Sequence, residues 1–230
     1  MTLRERKKLR TRQALIDTAL EQFTRRGFDG VTLDELCEAV EVSKRTFFRT
    51  FASKEDVAMA PAQDLWAAFL VELESAEPGG RTLLELARDA LLAGLEQVGE
   101  EGWAERMSLA YALSQRTPSM DGHNRHFCER TTQAALDILE RRFGLGGPGD
   151  PRPRLALDML VAAFHQAMAA WTGTSGTSGA PGTSGAPGTS GVPGTGREGL
   201  ADRIRETTAA LPAALALTPA EGGAARVSSP

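Results

Sequence analysis

The stretch from Thr32 to Lys54 constrains the fold of this chain most strongly, because it predicts two short helices joined by a tight turn. Its first apolar positions follow the i, i+3, i+4, i+7 spacing of one helical face: Leu33, Leu36, Cys37 and Val40. Thr32 and Glu35 have the spacing of a capping box, in which each side chain satisfies a backbone N–H of the first turn. A helix is therefore predicted to begin after Thr32.

A second helix is predicted from Lys44 to about Thr50, because Ser43 offers an N-cap after the interruption at Val40–Val42. Phe47 and Phe51 are four residues apart and can pack inward. The outward positions are then Lys44, Arg45, Thr46 and Arg49. Lys and Arg donate hydrogen bonds to phosphates and to guanine O6 and N7. This pattern is typical of a helix-turn-helix whose second helix enters the major groove, and the alternative is two amphipathic helices with solvated charges.

The first fifty-odd residues resemble the DNA-binding domain of the TetR family of bacterial transcriptional regulators. The matching positions are Ile16, Ala19, Phe23, Gly27-Phe28, Thr32-Leu33, Leu36-Cys37-Glu38-Ala39, Val42-Ser43, Thr46, Phe48, Phe51 and Lys54. Two positions depart from the family: Glu41 replaces a Gly of the turn, so it must take a conformation that favours Gly, and Phe48 replaces a Tyr. The resemblance implies that DNA is bound by Thr32, Lys44, Arg45, Thr46, Phe48, Arg49 and Lys54.

The charge of the chain is divided between its two parts. Residues 1–54 hold twelve Lys and Arg against eight Asp and Glu, a net +4, whereas the remainder is −8. The first turns of the predicted first helix, Arg4 to Arg26, carry a basic cluster of Arg4, Arg6, Lys7, Lys8, Arg10 and Arg12. A frayed, solvated start is one interpretation; we favour an arm that binds phosphate beside the helix-turn-helix. The inner face of this helix is predicted to hold Leu9, Ile16, Ala19, Leu20 and Phe23.

Every recognisable element beyond residue 54 is helical, so an all-α fold is predicted. The helix that Ser53 caps should break near Pro61, between Met59 and Ala62. Four further helices, separated by Gly- and Pro-rich breakers, are predicted at Leu83–Val98, Trp103–Gln115, about Met120–Phe143 and Leu155–Trp171. The predicted organisation is a three-helix DNA-binding domain at 1–54, a helical-bundle ligand-binding and dimerisation domain at 55–217, and a disordered tail at 218–230.

The helix from Leu155 is apolar nearly all round, which predicts burial on more than one side. Residues 172–196 follow it and contain TSGAPG twice and TSGVPG once, a composition that predicts a flexible linker long enough to join distant helix ends. A further apolar stripe then lies before Pro212: Leu200, Ile204, Thr207, Thr208 and Leu211. The resemblance implies that the last two helices form a four-helix dimer interface with their mates.

A small-molecule effector is the ligand that the resemblance implies for the bundle. Trp103, Met107 and Tyr111 recur at i, i+4, i+8, and His165 interrupts an apolar helix; these are the candidate ligand contacts, and ordinary core residues are the alternative. His123, His126 and Cys128 do not have the spacing of a tetrahedral zinc site. No metal or other cofactor is predicted.

The sequence contains no run long enough for a membrane span, no secretory signal and only two cysteines, so a cytoplasmic protein is predicted. It lacks the phosphate-binding glycine loop, HExxH, GxSxG and paired Glu-x-x-His motifs of several enzyme classes. The predicted function is a homodimeric repressor that binds a palindromic operator in double-stranded DNA and is released by a small-molecule effector. A helical-bundle enzyme or a protein-interaction module without DNA binding is the alternative.

Overall fold

The chain folds into α-helices throughout the part that the computed structural model describes, residues 2–98, 102–147, 149–173 and 196–218. This confirms the all-α prediction. The helices of these residues are α1 (Leu3–Arg26), α2 (Leu33–Ala39), α3 (Lys44–Phe48), α4 (Lys54–Ala58), α5 (Ala60–Ser75), α6 (Leu83–Gln97), α7 (Trp103–Ser114), α8 (Pro118–Phe143), α9 (Arg152–Trp171) and α10 (Arg197–Leu215). The predicted linker, apart from residues 172, 173 and 196, and the predicted tail beyond 218 lie outside the described residues.

The head, which we define as α1–α3, has a core built on the apolar face of α1. Its fully buried side chains include Leu15, Ile16, Leu20, Phe23, Leu36 and Phe47. Leu9 does not belong to this core: its side chain is 53% exposed, because the first turns of α1 extend beyond the helices that cover the rest of it. The prediction that Leu9 lies on the inner face is therefore wrong.

The turn between α2 and α3 is a Schellman motif. The N–H of Glu41 donates to the carbonyl of Glu38 at 3.0 Å, and the N–H of Val42 donates to that of Cys37 at 2.9 Å. Glu41 takes a φ of +54°, and among the described residues it is the only non-glycine with positive φ. The expectation that Glu41 adopts a conformation favourable to Gly is thus confirmed.

The predicted break near Pro61 is also confirmed, and it falls at Met59. α4 ends at Ala58, Met59 has φ −94° and ψ 0°, and α5 begins at Ala60. Pro61 then lies in the first turn of α5, where its missing N–H breaks no helical hydrogen bond. The break separates the short α4 from the body, which we define as α5–α10.

The body is a bundle in which α5 packs closely on α6 and α9 on α10. Gly94 of α6 explains the first contact, because a Cβ at this position would come within 2.8 Å of the backbone nitrogen of Phe69. Within the single chain α9 buries only one face, whereas Leu155 is 54% exposed and Ala162 lies on the open side. Burial of α9 on a second side depends on dimerisation and stays a prediction.

The two ends that flank the repeat segment lie next to each other. The indole Nε1 of Trp171, at the end of α9, donates a hydrogen bond to the carbonyl of Gly196 at 3.1 Å, and α10 begins at the following residue. The predicted linker therefore connects neighbouring helix ends, although its length would also allow it to join distant ones. α10 also continues through Pro212 to Leu215, with Leu200, Ile204 and Thr208 on its buried face.

Candidate DNA-binding surface and ligand pocket

The exposed face of α3 and its C-cap carry two arginines and an aromatic ring. Ser43 caps the helix by accepting a hydrogen bond from the N–H of Thr46 at 3.2 Å, and Phe47 anchors it with a fully buried ring. Arg45 and Arg49 point into solvent, and neither guanidinium has a hydrogen-bond or ion-pair partner among the described residues. Phe48 is 55% exposed on the same helix.

A basic groove runs between α3 and the first turns of α1. It has a volume of about 530 Å³, and its walls include Arg4, Lys7, Lys8, Thr11, Thr46, Arg49 and Thr50. Glu5 is the acidic exception, and its carboxylate accepts a hydrogen bond from the N–H of Thr2 at 2.6 Å as part of the capping box of α1. Cations and hydroxyl groups arranged along an open groove are suited to bind consecutive phosphates.

Two of the predicted DNA contacts already have partners within the head. The ammonium of Lys44 lies 2.7 Å from the carboxylate of Asp34, in an exposed ion pair. The hydroxyl of Thr32 donates to Glu35 at 2.8 Å and accepts from the Glu35 N–H at 3.2 Å. The N–H of Thr32 and the guanidinium of Arg26 also bind the Glu35 carboxylate, and these bonds lower its pKa to about 2.

Lys54, which was expected to reach DNA, has its ammonium bound within the protein. Its ammonium donates to the carbonyls of Phe28 at 3.0 Å and Val31 at 2.8 Å, and it lies 4.6 Å from the centre of the Phe28 ring. The side chain therefore holds the connection between α1 and α2 against the start of α4. Local spacing could not reveal this role, because both carbonyls lie more than twenty residues earlier in the chain.

Arg12 was predicted to belong to the phosphate-binding cluster at the start of α1, but its side chain faces the body. Its guanidinium donates two hydrogen bonds to the carboxylate of Asp64 on α5, at 2.9 and 2.7 Å. It also lies 5.5 Å from the centre of the Phe51 ring. Arg12 thus connects the head to the body instead of facing the groove.

The body contains a pocket of about 390 Å³ between α5, α7, α8 and α9, here called the central pocket. Met107, Tyr111 and His165, three of the four candidate ligand contacts, line it together. Trp103 does not: its ring is buried, its indole donates to the carbonyl of Pro61 at 3.2 Å, and it borders a separate cleft next to α1. Trp103 thus lies apart from the other three candidate contacts.

Further lining residues of the central pocket were missed from the sequence. The aromatic rings of Trp66, Phe127 and Phe164 form much of its apolar wall, and Gln115 and Asn124 add amide groups. Trp66 and Phe164 stack edge to face with centroids 5.2 Å apart. The sequence could not mark these aromatic residues as pocket residues, because aromatic residues of an ordinary core show the same helical spacing. Asp121 adds a carboxylate, so the lining suits a molecule with aromatic or aliphatic surface and a few polar groups.

Comparison with known proteins identifies the chain's relatives. Residues 15–60, which include α2, α3 and α4, match the family model described as bacterial regulatory proteins, tetR family. Over 173 residues the chain is 37% identical to the HTH-type transcriptional regulator TcmR of Streptomyces glaucescens, covering 74% of this chain and 76% of that protein. The chain belongs to the TetR family.

A solved structure of a Mesorhizobium loti protein, described as a TetR-family transcriptional regulator, is 21% identical and covers 93% of this chain and 98% of its own, with a TM-score of 0.43.

Membership of the TetR family makes this protein a transcriptional regulator that acts through DNA binding, and not an enzyme. In the described ranges no helix is long and apolar enough to cross a membrane, and no cluster of three His, Cys, Asp or Glu side chains could hold a metal ion.

Proposed function

We propose that this TetR-family protein is a homodimeric repressor that places two copies of α3 in successive major grooves of a palindromic operator. A small-molecule effector bound in the central pocket releases it from DNA. We also propose that the protein is cytoplasmic, because the DNA that such a regulator binds lies in the cytoplasm.

The observation that carries the proposal is the position of α3 beside the basic groove. Arg45 on α3 faces outward, and its guanidinium has no partner within the described ranges, so it is available for base edges. Arg49 and Thr46 face the groove, where Lys7 and Lys8 of α1 form the opposite wall and are suited to the phosphate backbone. One side of the head can therefore position the protein on DNA while the exposed face of α3 reads the sequence.

The open faces of α9 and α10 support dimerisation. Leu155 on α9 is 54% exposed, and Leu215 and Leu217 at the end of α10 are 74% and 80% exposed. Exposed apolar side chains near the start of α9, at the last residue of α10 and just after it favour burial against another protein surface. A second copy of the chain is the partner that gives two recognition helices and hence a palindromic site.

The central pocket has a direct structural route to the head through α8. Asn124 and Phe127 line the pocket, and His123 on the same turn of α8 lies 3.6 Å from the carboxylate of Asp56 on α4. Gln63 of α5 donates to the same carboxylate at 2.9 Å. A ligand that moves the first turns of α8 would therefore move α4 and, through it, the head.

Sequencing of DNA fragments retained by the purified full-length protein tests the proposal. We expect an inverted repeat with half-sites about one helical turn apart, or a multiple of it. We also expect the affinity to fall steeply as salt rises, because phosphate binding releases counterions. Retained fragments without a common sequence would reject the proposed operator binding.

Matched variants then test whether operator binding depends on α3. Replacing Lys44 and Arg45 together by Ala should abolish specific binding while the dimer remains folded. The control replaces Arg130 and Arg141 by Ala, which removes the same charge from exposed positions on α8 of the body. Unchanged operator affinity of the first variant would contradict the assignment of α3 as the DNA-reading helix.

A separate variant tests the effector. Compounds that release DNA from the wild type should lose potency on Asn124→Leu, because Asn124 lines the central pocket.

A further inference from the structure

Phe48 is the least expected side chain on the exposed face of α3. It is 55% exposed, although its helix also carries Lys44 and Arg45 and is followed by Arg49. Its ring is not loose, because it stands edge-on to the buried ring of Phe47 with centroids 5.5 Å apart and an interplanar angle of 88°. An apolar ring held in one orientation on a cationic surface is suited to a contact that hydrogen bonds cannot make.

The major groove offers one such apolar group, the C5-methyl of thymine, and Phe is among the side chains that contact it. We propose that Phe48 reads a thymine methyl in each half-site of the operator. This inference rests on the proposed function, since it requires α3 to lie in the major groove. Phe48 would then contact a base. It cannot donate a hydrogen bond to a phosphate, because its ring has no hydroxyl group.

Arg45 fixes where the thymine lies relative to a guanine. Arg45 and Phe48 are three residues apart, so both project from neighbouring turns of the same face of α3. The guanidinium has no partner among the described residues and is free to donate to guanine O6 and N7. Lys44, by contrast, is paired with Asp34. Each half-site therefore contains a guanine read by Arg45 and, within a few base pairs of it, a thymine read by Phe48.

Replacing thymine by deoxyuridine, which lacks the methyl group, tests this contact directly. Each thymine of the selected operator is replaced in turn, symmetrically in both half-sites, and affinity is measured for the full-length protein. For the wild type we expect one position at which the replacement weakens binding by about fifteenfold, the combined effect of losing one buried methyl group in each of the two half-sites. For Phe48→Ala we expect no loss at that position, and for Phe48→Leu, which keeps an apolar side chain, a partial loss.

The matched control is Val71→Ala, which removes an exposed apolar side chain from α5 and should leave the wild-type pattern unchanged. Phe48 is exposed, so its variants should remain folded, and thermal unfolding verifies this. The inference is overturned if no thymine is sensitive in the wild type, or if the same sensitivity persists in Phe48→Ala. Either result leaves operator binding intact, whereas the absence of any selected sequence would reject the proposed function itself.

Discussion

The guanidinium of Arg12 and the carboxylate of Asp64 form a two-hydrogen-bond ion pair that joins α1 of the head to α5 of the body, 52 residues later in the chain. Two parallel N–H···O bonds fix the relative orientation of these helices better than a single contact would. The hydrophobic cores are also connected, because Ala110, Leu113 and Met120 of the body belong to the apolar cluster of the head. Movements of the body can thus reach α1 as well as α4.

We expect a double-mutant cycle on Arg12→Gln and Asp64→Asn to give a coupling free energy of about 0.5–1 kcal/mol. The value is modest because both side chains are partly exposed, at 28% and 40%. Urea unfolding measures the free energies of unfolding. The control cycle uses the exposed i,i+4 pair Arg25 and Glu21, for which a smaller coupling is expected. Equal coupling in both cycles would show that the bidentate geometry adds nothing.

Glu41→Gly should stabilise the protein. A left-handed conformation costs an L-residue about 1–2 kcal/mol, whereas Gly adopts it freely and loses part of the gain through its larger unfolded-state entropy. The expected net gain in the free energy of unfolding is about 0.5–1 kcal/mol, measured by chemical denaturation. Glu38→Gly is the control, because the same change inside α2 should cost about 1 kcal/mol. If both variants were equally destabilised, the conformation of Glu41 would not be the cause.

Lys54 and Lys44 should give opposite phenotypes when each is replaced by Met. Lys54→Met leaves the carbonyls of Phe28 and Val31 without their donor, so we expect a loss of about 1–2 kcal/mol in the free energy of unfolding. Lys44→Met removes only an exposed ion pair, so stability should change by less than about 0.5 kcal/mol. Operator affinity at a temperature where both variants are folded should fall for Lys44→Met. A loss of affinity confined to Lys54→Met would restore Lys54 as a DNA contact.

The helices of this protein could be predicted from its sequence, whereas several side-chain roles could not. The capping residues Thr32 and Ser43 and the inward spacing of Phe47 and Phe51 are local signals, and the structure confirms them. The roles of Arg12 and Lys54 depend on partners that the fold brings from 23 to 52 residues away. A basic cluster in sequence therefore does not show which of its members face DNA and which hold the fold together.

Glu35 should make stability depend on pH in the acidic range. Its folded-state pKa of about 2 lies below the ordinary value, so its stabilising effect is present above about pH 4.5 and is lost as pH falls toward 2. Glu35→Gln keeps an acceptor for the N–H of Thr32 and removes this titration, so its stability should fall less steeply over that range. Thermal unfolding from pH 6 to 2.5 measures the slope. Glu38→Gln, which removes a charge from the same helix, should retain the wild-type slope.

Shortening the TSGAPG segment should leave the fold and the proposed dimer unchanged. Deleting residues 183–188 removes one hexamer from a segment whose two flanking ends already meet at Trp171 and Gly196. Closing the shorter loop changes the entropy term by only about 0.3 kcal/mol.

Sedimentation velocity and thermal unfolding should therefore match the wild type. Trp171→Phe is the informative contrast, because it leaves the loop length unchanged but removes the donor to Gly196, at an expected cost of about 0.5–1.5 kcal/mol. A shift to monomer on deletion, with Trp171→Phe unaffected, would show that the length of the segment, and not the contact between its ends, positions α10 on α9.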